Sequence, residues 1–329
     1  MKSLQVRIAG AGWLSAALFT ALAAAAPAAA AQVYPVKPIR IILPFAGGTD
    51  VVARLLAAKL APAFGQQILP EQRLGAGGNI AHETVAKAAP DGYTLLMAAP
   101  PLVINPHLNP KTGFDPLRDF APVALLATIP NVLVVHPTVP AKSLRELLQL
   151  ARSQPGKLTY GSGGVGSSNH LAAELLKSSA RIQILHVPYK SATIALGNAL
   201  GGEVDIVIVA ASSAAAYVQQ GKMRALAVLD HKRLGAMPQV PTSAEAGAPQ
   251  LVAVNWYILL APAAAPRAAI ERLNAESVKA MALPDTRERL SAMGGEPASG
   301  TPEQTADFLR AEHARWGKVI RDAGIRPDY

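Results

Sequence analysis

Three serines and a histidine, Ser162, Ser167, Ser168 and His170, are gathered around Gly161, Gly163, Gly164 and Gly166 in one short stretch. Their spacing takes a strand through a glycine-rich loop into a helix. At such a corner the free N–H groups of the first helical turn, the positive end of the helix dipole and the hydroxyls converge on one small anion. A second corner of this kind occupies residues 41–50. There Ile41, Ile42 and Leu43 run through Pro44, Phe45, Ala46, Gly47 and Gly48 into a helix whose first turn holds Thr49 and Asp50. Two corners built for anions predict one ligand clamped between two lobes.

Other chemistries use the same residue types. Residues 161–166 fit Gly-x-Gly-x-x-Gly, but a dinucleotide site needs an acid near the end of the next strand, and residues 182–187 supply none. A hydrolase could recruit Ser162, His170 and Asp205, yet the nucleophile-elbow spelling fails because Tyr160 stands where the first glycine belongs. The seven histidines are dispersed, with no His-x-x-x-His pair and no cysteine, so neither a metal nor another cofactor is expected, and no catalytic residue is assigned. Asp50 has two roles open, as an acid in the first helical turn or as a cleft group acting through water. Of Trp256 and Tyr257 on one strand, one faces the core and the other the cleft, with Trp256 favoured for the core.

The elements that must position these groups alternate. Apolar β-branched runs at residues 39–43, 67–70, 94–97 and 132–135 alternate with helical patterns at 51–64, 80–89 and 144–153. The grammar repeats with strands at 158–160, 184–187, 204–210 and 226–229 and helices at 170–178 and 192–200. This predicts parallel α/β sheets covered on both faces. The tail is helical, at residues 267–282, 285–293 and from Thr301-Pro302-Glu303 onward, a helix entry with a cap, proline and an acid in order. Apolar segments 131–136 and 252–260 each run into a proline and are expected to be paired hinge crossings. Lobe 1 is then residues 32–132 with 256–329, and lobe 2 is 133–255.

Residues 1–31 carry Lys2 and Arg7, an alanine-rich apolar run and small residues at Ala29 and Ala31, the pattern of a cleaved signal peptide. The 298 residues that would remain keep a formal charge of +7, down from +9, because no acid precedes residue 32. A basic chain favours anionic ligands. Its lysines and arginines are scattered singly and aromatics make up only 5%, which argues against nucleic acid. With no second membrane-spanning run and no cysteine, a monomer free in the periplasm is expected.

Several blocks resemble one known family across nearly the whole chain. They include residues 73–78 (Arg-Leu-Gly-Ala-Gly-Gly), 89–96 (Ala-Pro-Asp-Gly-Tyr-Thr-Leu-Leu), 115–123, 161–170, 187–190 (Val-Pro-Tyr-Lys), 224–228 and 261–263. They are similar to the Bug receptors, the substrate-binding proteins of tripartite tricarboxylate transporters. The resemblance implies a two-lobed α/β fold of the type II periplasmic binding proteins, each lobe a sheet flanked by helices. It implies capture of a small carboxylate, with no covalent chemistry, for delivery to a membrane permease. Delivery to a sensor ectodomain is the alternative, and a periplasmic hydrolase is a third.

Carried over by position, the ligand-binding residues are Phe45, Ala46, Gly47, Gly48, Thr49 and Asp50 in the first loop, and Ser162, Gly163, Gly164, Val165, Gly166, Ser167 and His170 in the second. Ala99 belongs to a third wall that continues to Asn105 and Pro106. The chain departs from the family in a first loop about two residues short. Val209 stands where many members place an acid, which predicts a carboxylate without an ammonium group. Ser191 and Ile258 replace usual glycines.

Overall fold

The computed structural model describes residues 34–325; the expected signal peptide lies outside the described residues. From Lys37 onward the described residues form one compact unit. Strand β1 (Ile39–Leu43) is an apolar run, nearly all of it buried, and feeds helix α1 (Gly48–Phe64), which starts three residues earlier than its apolar periodicity predicts. Strand β2 (Ile68–Gln72), a 3-10 turn (Ala76–Gly78), α2 (Asn79–Ala86), β3 (Thr94–Ala98) and α3 (Pro101–Leu108) follow. Then come β4 (Phe120–Val135), α4 (Leu144–Ser153), β5 (Thr159–Ser162), α5 (Ser168–Ala180), β6 (Leu185–Pro188), α6 (Ala192–Leu200), β7 (Ile206–Ala210), α7 (Ala211–Gln219) and β8 (Arg224–Val228). The chain closes with β9 (Val254–Pro262), α8 (Arg267–Ala282), α9 (Pro284–Ala292), β10 (Glu296–Pro297) and α10 (Pro302–Asp322).

Two sheets share one long strand. The order is β2-β1-β3-β9-β4-β7-β5-β6, with β8 and β10 also on β4. In the first lobe β1 runs parallel to β2 and β3, and β9 runs antiparallel to β3 and β4. In the second, β5 is parallel to β6 and β7, while β7 and β8 are antiparallel to β4. Residues 120–130 of β4 pair with β9, and residues 131–135 pair with β7 and β8, so the strand changes sheets at Pro130 and Asn131. The return passage enters β9 just after Ala253, whose amide still donates to Leu229 of the second sheet. The result is a two-lobed α/β molecule with two short crossings.

The sequence shows only the last four residues of β4, because Pro122 and Pro130 demote the stretch before them. Both prolines sit where a ladder donor is dispensable. Pro122 lies beside a bulge and Pro130 at the exchange of sheets. Helices α3 and α7 are also absent from the sequence reading. The first is bracketed by Pro101 and Pro106, and the second, Ala-Ser-Ser-Ala-Ala-Ala-Tyr-Val-Gln, has no apolar period.

Successive residues of the second-lobe strands feed opposite cores. Leu133, Val135, Ile206 and Ile208 pack on one face, and Val132, Val134, Val207 and Val209 on the other. In the first lobe Trp256 and Trp316 are both 1% exposed, and their indole N–H groups donate to one carboxylate oxygen of Glu312 at 2.9 and 3.0 Å. That shared acceptor ties α10 to β9. The entry of α10 carries a reciprocal cap between Thr301 and Gln304, as its spelling predicts.

Candidate ligand-binding site

The first corner is made by the exit of β1. Pro44 is buried, and the chain turns through Phe45 and the exposed Ala46 to Gly47, whose φ of +88° suits only glycine. No side chain caps α1. Thr49 turns inward, 2% exposed, and its hydroxyl donates to the Phe45 carbonyl at 2.6 Å, which ties the loop to its own helix. The Asp50 carboxylate accepts from Arg54 at 2.8 and 3.0 Å and from Gln72 at 3.2 Å. Its hydrogen bond with Arg54 holds the carboxyl below the usual carboxylate range. The charge of Asp50 is thus already partnered. Among the described residues the amides of Gly48, Thr49 and Asp50 have no protein acceptor, and they sit at the positive end of a 17-residue helix.

The second corner spends more of its donors on itself. Gly163 donates to Asn169 Oδ1 at 3.4 Å, Gly164 to Ser162 Oγ at 3.1 Å, Gly166 to His170 Nδ1 at 3.3 Å and Ser167 to the Gly164 carbonyl at 3.2 Å. Ser167 caps α5 and donates its hydroxyl to the Gly164 carbonyl at 2.6 Å. Gly164 and Gly166 have φ of +100° and +80°. Ser162 is fully buried and shares a 2.6 Å hydrogen bond with His186 Nε2. The amides of Val165, Ser168 and Asn169 remain for a ligand, with Val165 itself exposed at the rim.

Behind this loop stands a stack of rings. His186 lies 4.7 Å from Tyr160 and 4.4 Å from His170 between ring centres. Tyr160 donates to Glu174 at 2.6 Å, as does Lys177. Burial pushes the Glu174 carboxyl up, but these two hydrogen bonds outweigh it and leave it below its usual range. His170 therefore buttresses the loop from within, 5% exposed.

Strand β9 brings the two corners together. Residues two apart on a strand face the same way, so Asn255 and Tyr257 share a face. Ser168 donates its hydroxyl to Asn255 Oδ1 at 2.9 Å. Asn255 donates to Asn131 Oδ1 at 2.9 Å, and Asn131 to the Ala253 carbonyl at 3.0 Å. Tyr257 reaches the first corner, where a Cβ on Gly48 would stand 2.0 Å from its hydroxyl oxygen. Burial raises the Tyr257 phenol well above its ordinary range. The third side is α3, entered from β3 through the buried Ala99. Asn105 on α3 donates to the Gly77 carbonyl at 2.8 Å and to Asn79 Oδ1 at 2.7 Å. A Cβ on Gly166 would touch Leu108 at 3.0 Å and Asn105 Oδ1 at 3.6 Å, so α3 packs directly on the second loop.

Not every residue named from the sequence joins this cluster. Val209 is 2% exposed and packs in the second-lobe core with Val132 and Val207. Its side chain is closed off by that core, so the nature of the ligand has to be argued from the corners themselves. Trp256 is a core residue held by Glu312. Asn255, Asn131 and His186 carry no sequence signal, because each acts through a partner distant in the chain. The hydrolase geometry is absent: Ser162 meets His186 instead of His170 and is sealed from solvent. Asp205 instead accepts from the Thr159 amide and hydroxyl at 2.8 and 2.9 Å. Among the described residues no cluster of three His, Asp or Glu could hold a metal. A surface cavity of about 490 Å³ lined by Arg267, Glu271, Asn274, Thr301 and Glu303 lies between α8 and α10, with neither glycine loop in its wall.

The family model for the tripartite tricarboxylate transporter family receptor matches residues 52–325. Protein BugT of Bordetella pertussis is 36% identical over 313 residues, 94% of this chain and 96% of that protein. Rpa4515 of R. palustris, solved with adipate, superposes with a TM-score of 0.83 at 35% identity, covering 89% of this chain and 99% of the other. MatC (Rpa3494) from Rhodopseudomonas palustris, with bound malate, gives 0.79 at 33% identity over 87% of this chain and 100% of the other.

Proposed function

The chain belongs to the tripartite tricarboxylate transporter receptor family, a family of periplasmic solute receptors and not of enzymes, and from that premise we propose that it captures a small organic carboxylate between its lobes for uptake. One observation carries the reading: the starts of both corner helices stand against one face of β9, Gly48 of α1 at Tyr257 and Ser168 of α5 at Asn255. A carboxylate bonded to the α1 amides and to the remaining amides at the start of α5 would bridge the lobes. Because those contacts are complete only when the lobes are together, the ligand shifts the population toward the closed form. The closed receptor, exported to the periplasm by its leader, would then be presented to a membrane permease.

The class of carboxylate follows from what the corners lack. Asp50 is held by Arg54 and Gln72, and Glu174 by Lys177 and Tyr160, so neither corner offers a free acid. A buried ammonium group would go unpaired at a cost of several kcal/mol. Relatives bound to adipate and malate, both without an amine, fit this class.

A thermal-shift screen of residues 32–329 against di- and tricarboxylates, hydroxy acids, aromatic acids and acidic amino acids tests it. A non-amino carboxylate at 100 times its Kd should stabilise the protein by about 2.7 kcal/mol, with acidic amino acids silent. A response confined to amino acids, or none at all, would overturn the reading.

A further inference from the structure

Tyr257 sets its phenol hydroxyl against the start of α1. The side chain is 6% exposed, its hydroxyl has no hydrogen-bond partner among the described residues, and it points at Gly48 in the first turn of α1. The ring is buried, but the hydroxyl oxygen is not among the fully enclosed polar atoms, so a partner can reach it from outside. The surroundings define that partner. The amides that open this turn, those of Gly48, Thr49 and Asp50, are donors with no acceptor among the described residues. Two acceptors of this corner are already engaged, since the Phe45 carbonyl takes the Thr49 hydroxyl and the Asp50 carboxylate takes Arg54 and Gln72. A group that satisfies this set must accept several hydrogen bonds at once and donate none. A carboxylate oxygen pair does so; an ammonium group or an alcohol does not.

Resting on the carboxylate-receptor reading, we infer that the Tyr257 hydroxyl is a specificity-determining donor to one carboxylate of the ligand, completing the α1 site. The placement compensates for the shortened first loop. Where the loop has fewer amides to offer, a side chain from the crossing strand brings a donor to within contact of Gly48. Burial keeps the phenol protonated at all ordinary pH, so it remains a donor throughout. It also explains why residue 48 is glycine: any side chain would occupy the space of the hydroxyl. Tyr257 sits two residues from Asn255, which holds the second corner through Ser168, so a ligand bonded to Tyr257 is bonded to the strand that both lobes share.

The test is Tyr257→Phe, which keeps the ring over Gly48 and removes only the oxygen. Calorimetric Kd values are measured for succinate, malate, adipate and benzoate on both proteins, with ligand-free melting temperature as the folding control. The expected result is a ligand-free melting temperature at or above that of the wild type and binding weakened about tenfold or more for each probe the wild type binds. Wild-type binding with a Phe variant unchanged within twofold would overturn the role of Tyr257 and leave the receptor reading standing. A wild type that binds none of the four would overturn this inference together with the receptor reading for these acids.

Discussion

The Ser168 hydroxyl donates to Asn255 Oδ1 at 2.9 Å, joining the first residue of α5 to the second residue of β9. The bond continues through Asn131, 2% exposed, to the Ala253 carbonyl. Asn131 is the first residue of β4 in the second sheet and Asn255 follows the return crossing, so this short polar chain spans both passages between lobes. A movement of the second loop is therefore felt at the hinge through hydrogen bonds, with no charged group involved.

Removing a member of that chain should show that it acts as a unit. Ser168→Ala is expected to cost about 1 kcal/mol of unfolding free energy, and Asn255→Ala more, because it leaves the buried Asn131 amide oxygen without its donor. A double-mutant cycle read by urea denaturation should give a coupling of at least about 0.5 kcal/mol. Simple additivity would mean the crossing strands are held by apolar packing alone.

Gly48→Ala should destabilise the ligand-free protein by about 1–3 kcal/mol, the cost of forcing a methyl group into a filled site. The new carbon would lie 2.0 Å from the Tyr257 hydroxyl and 2.7 Å from the adjoining ring carbon, and the ring is too buried to swing aside. In a Tyr257→Phe background the cost should shrink, since the nearer of the two clashes is gone. An equal cost in both backgrounds would show that the Tyr257 hydroxyl is not what fills the site.

His82 sets an acid-dependent stability. Its ring is fully buried edge-on against Phe114, neither nitrogen has a partner among the described residues, and burial lowers its pKa to about 3. An unfolded chain takes up a proton at this residue near pH 6.5, whereas the native state resists until about pH 3. Stability is therefore unaffected above that window and falls as pH drops through it, by at most about 1.4 kcal/mol per pH unit. His82→Leu should leave stability at neutral pH unchanged or raised by about 1 kcal/mol and flatten the acid loss. Urea midpoints at about pH 7.5 and about pH 4.5 decide it; identical pH slopes for both proteins would assign the loss to other groups.

Much of the architecture was legible because it is written locally. The apolar run at Ile39–Leu43, the helix at Ala192–Leu200 and the capped tail helix are where periodicity and turn residues place them. What escaped was β4 before Asn131, whose prolines look like strand breakers until β9 and the sheet exchange supply a place for them. The glycines and serines of both corners were legible for the same local reason. Their division of labour was not, since Ser162 and Ser167 are occupied in holding their own loop while Ser168 faces the hinge.

By itself, then, the sequence determined two helix-start corners rich in neutral donors, the alternation of strands and helices, and the family that carries them, because each rests on residues adjacent in the chain. Only the tertiary structure decided which of these groups stay free for a ligand. Asp50 is taken by Arg54 and Gln72, Val209 by the second-lobe core, Ser162 by His186, and the Tyr257 hydroxyl is left facing Gly48. A polar group is available to a ligand only when no closer partner has claimed it, and here the claimants range from Arg54, four residues from Asp50, to Asn131, 124 residues from Asn255.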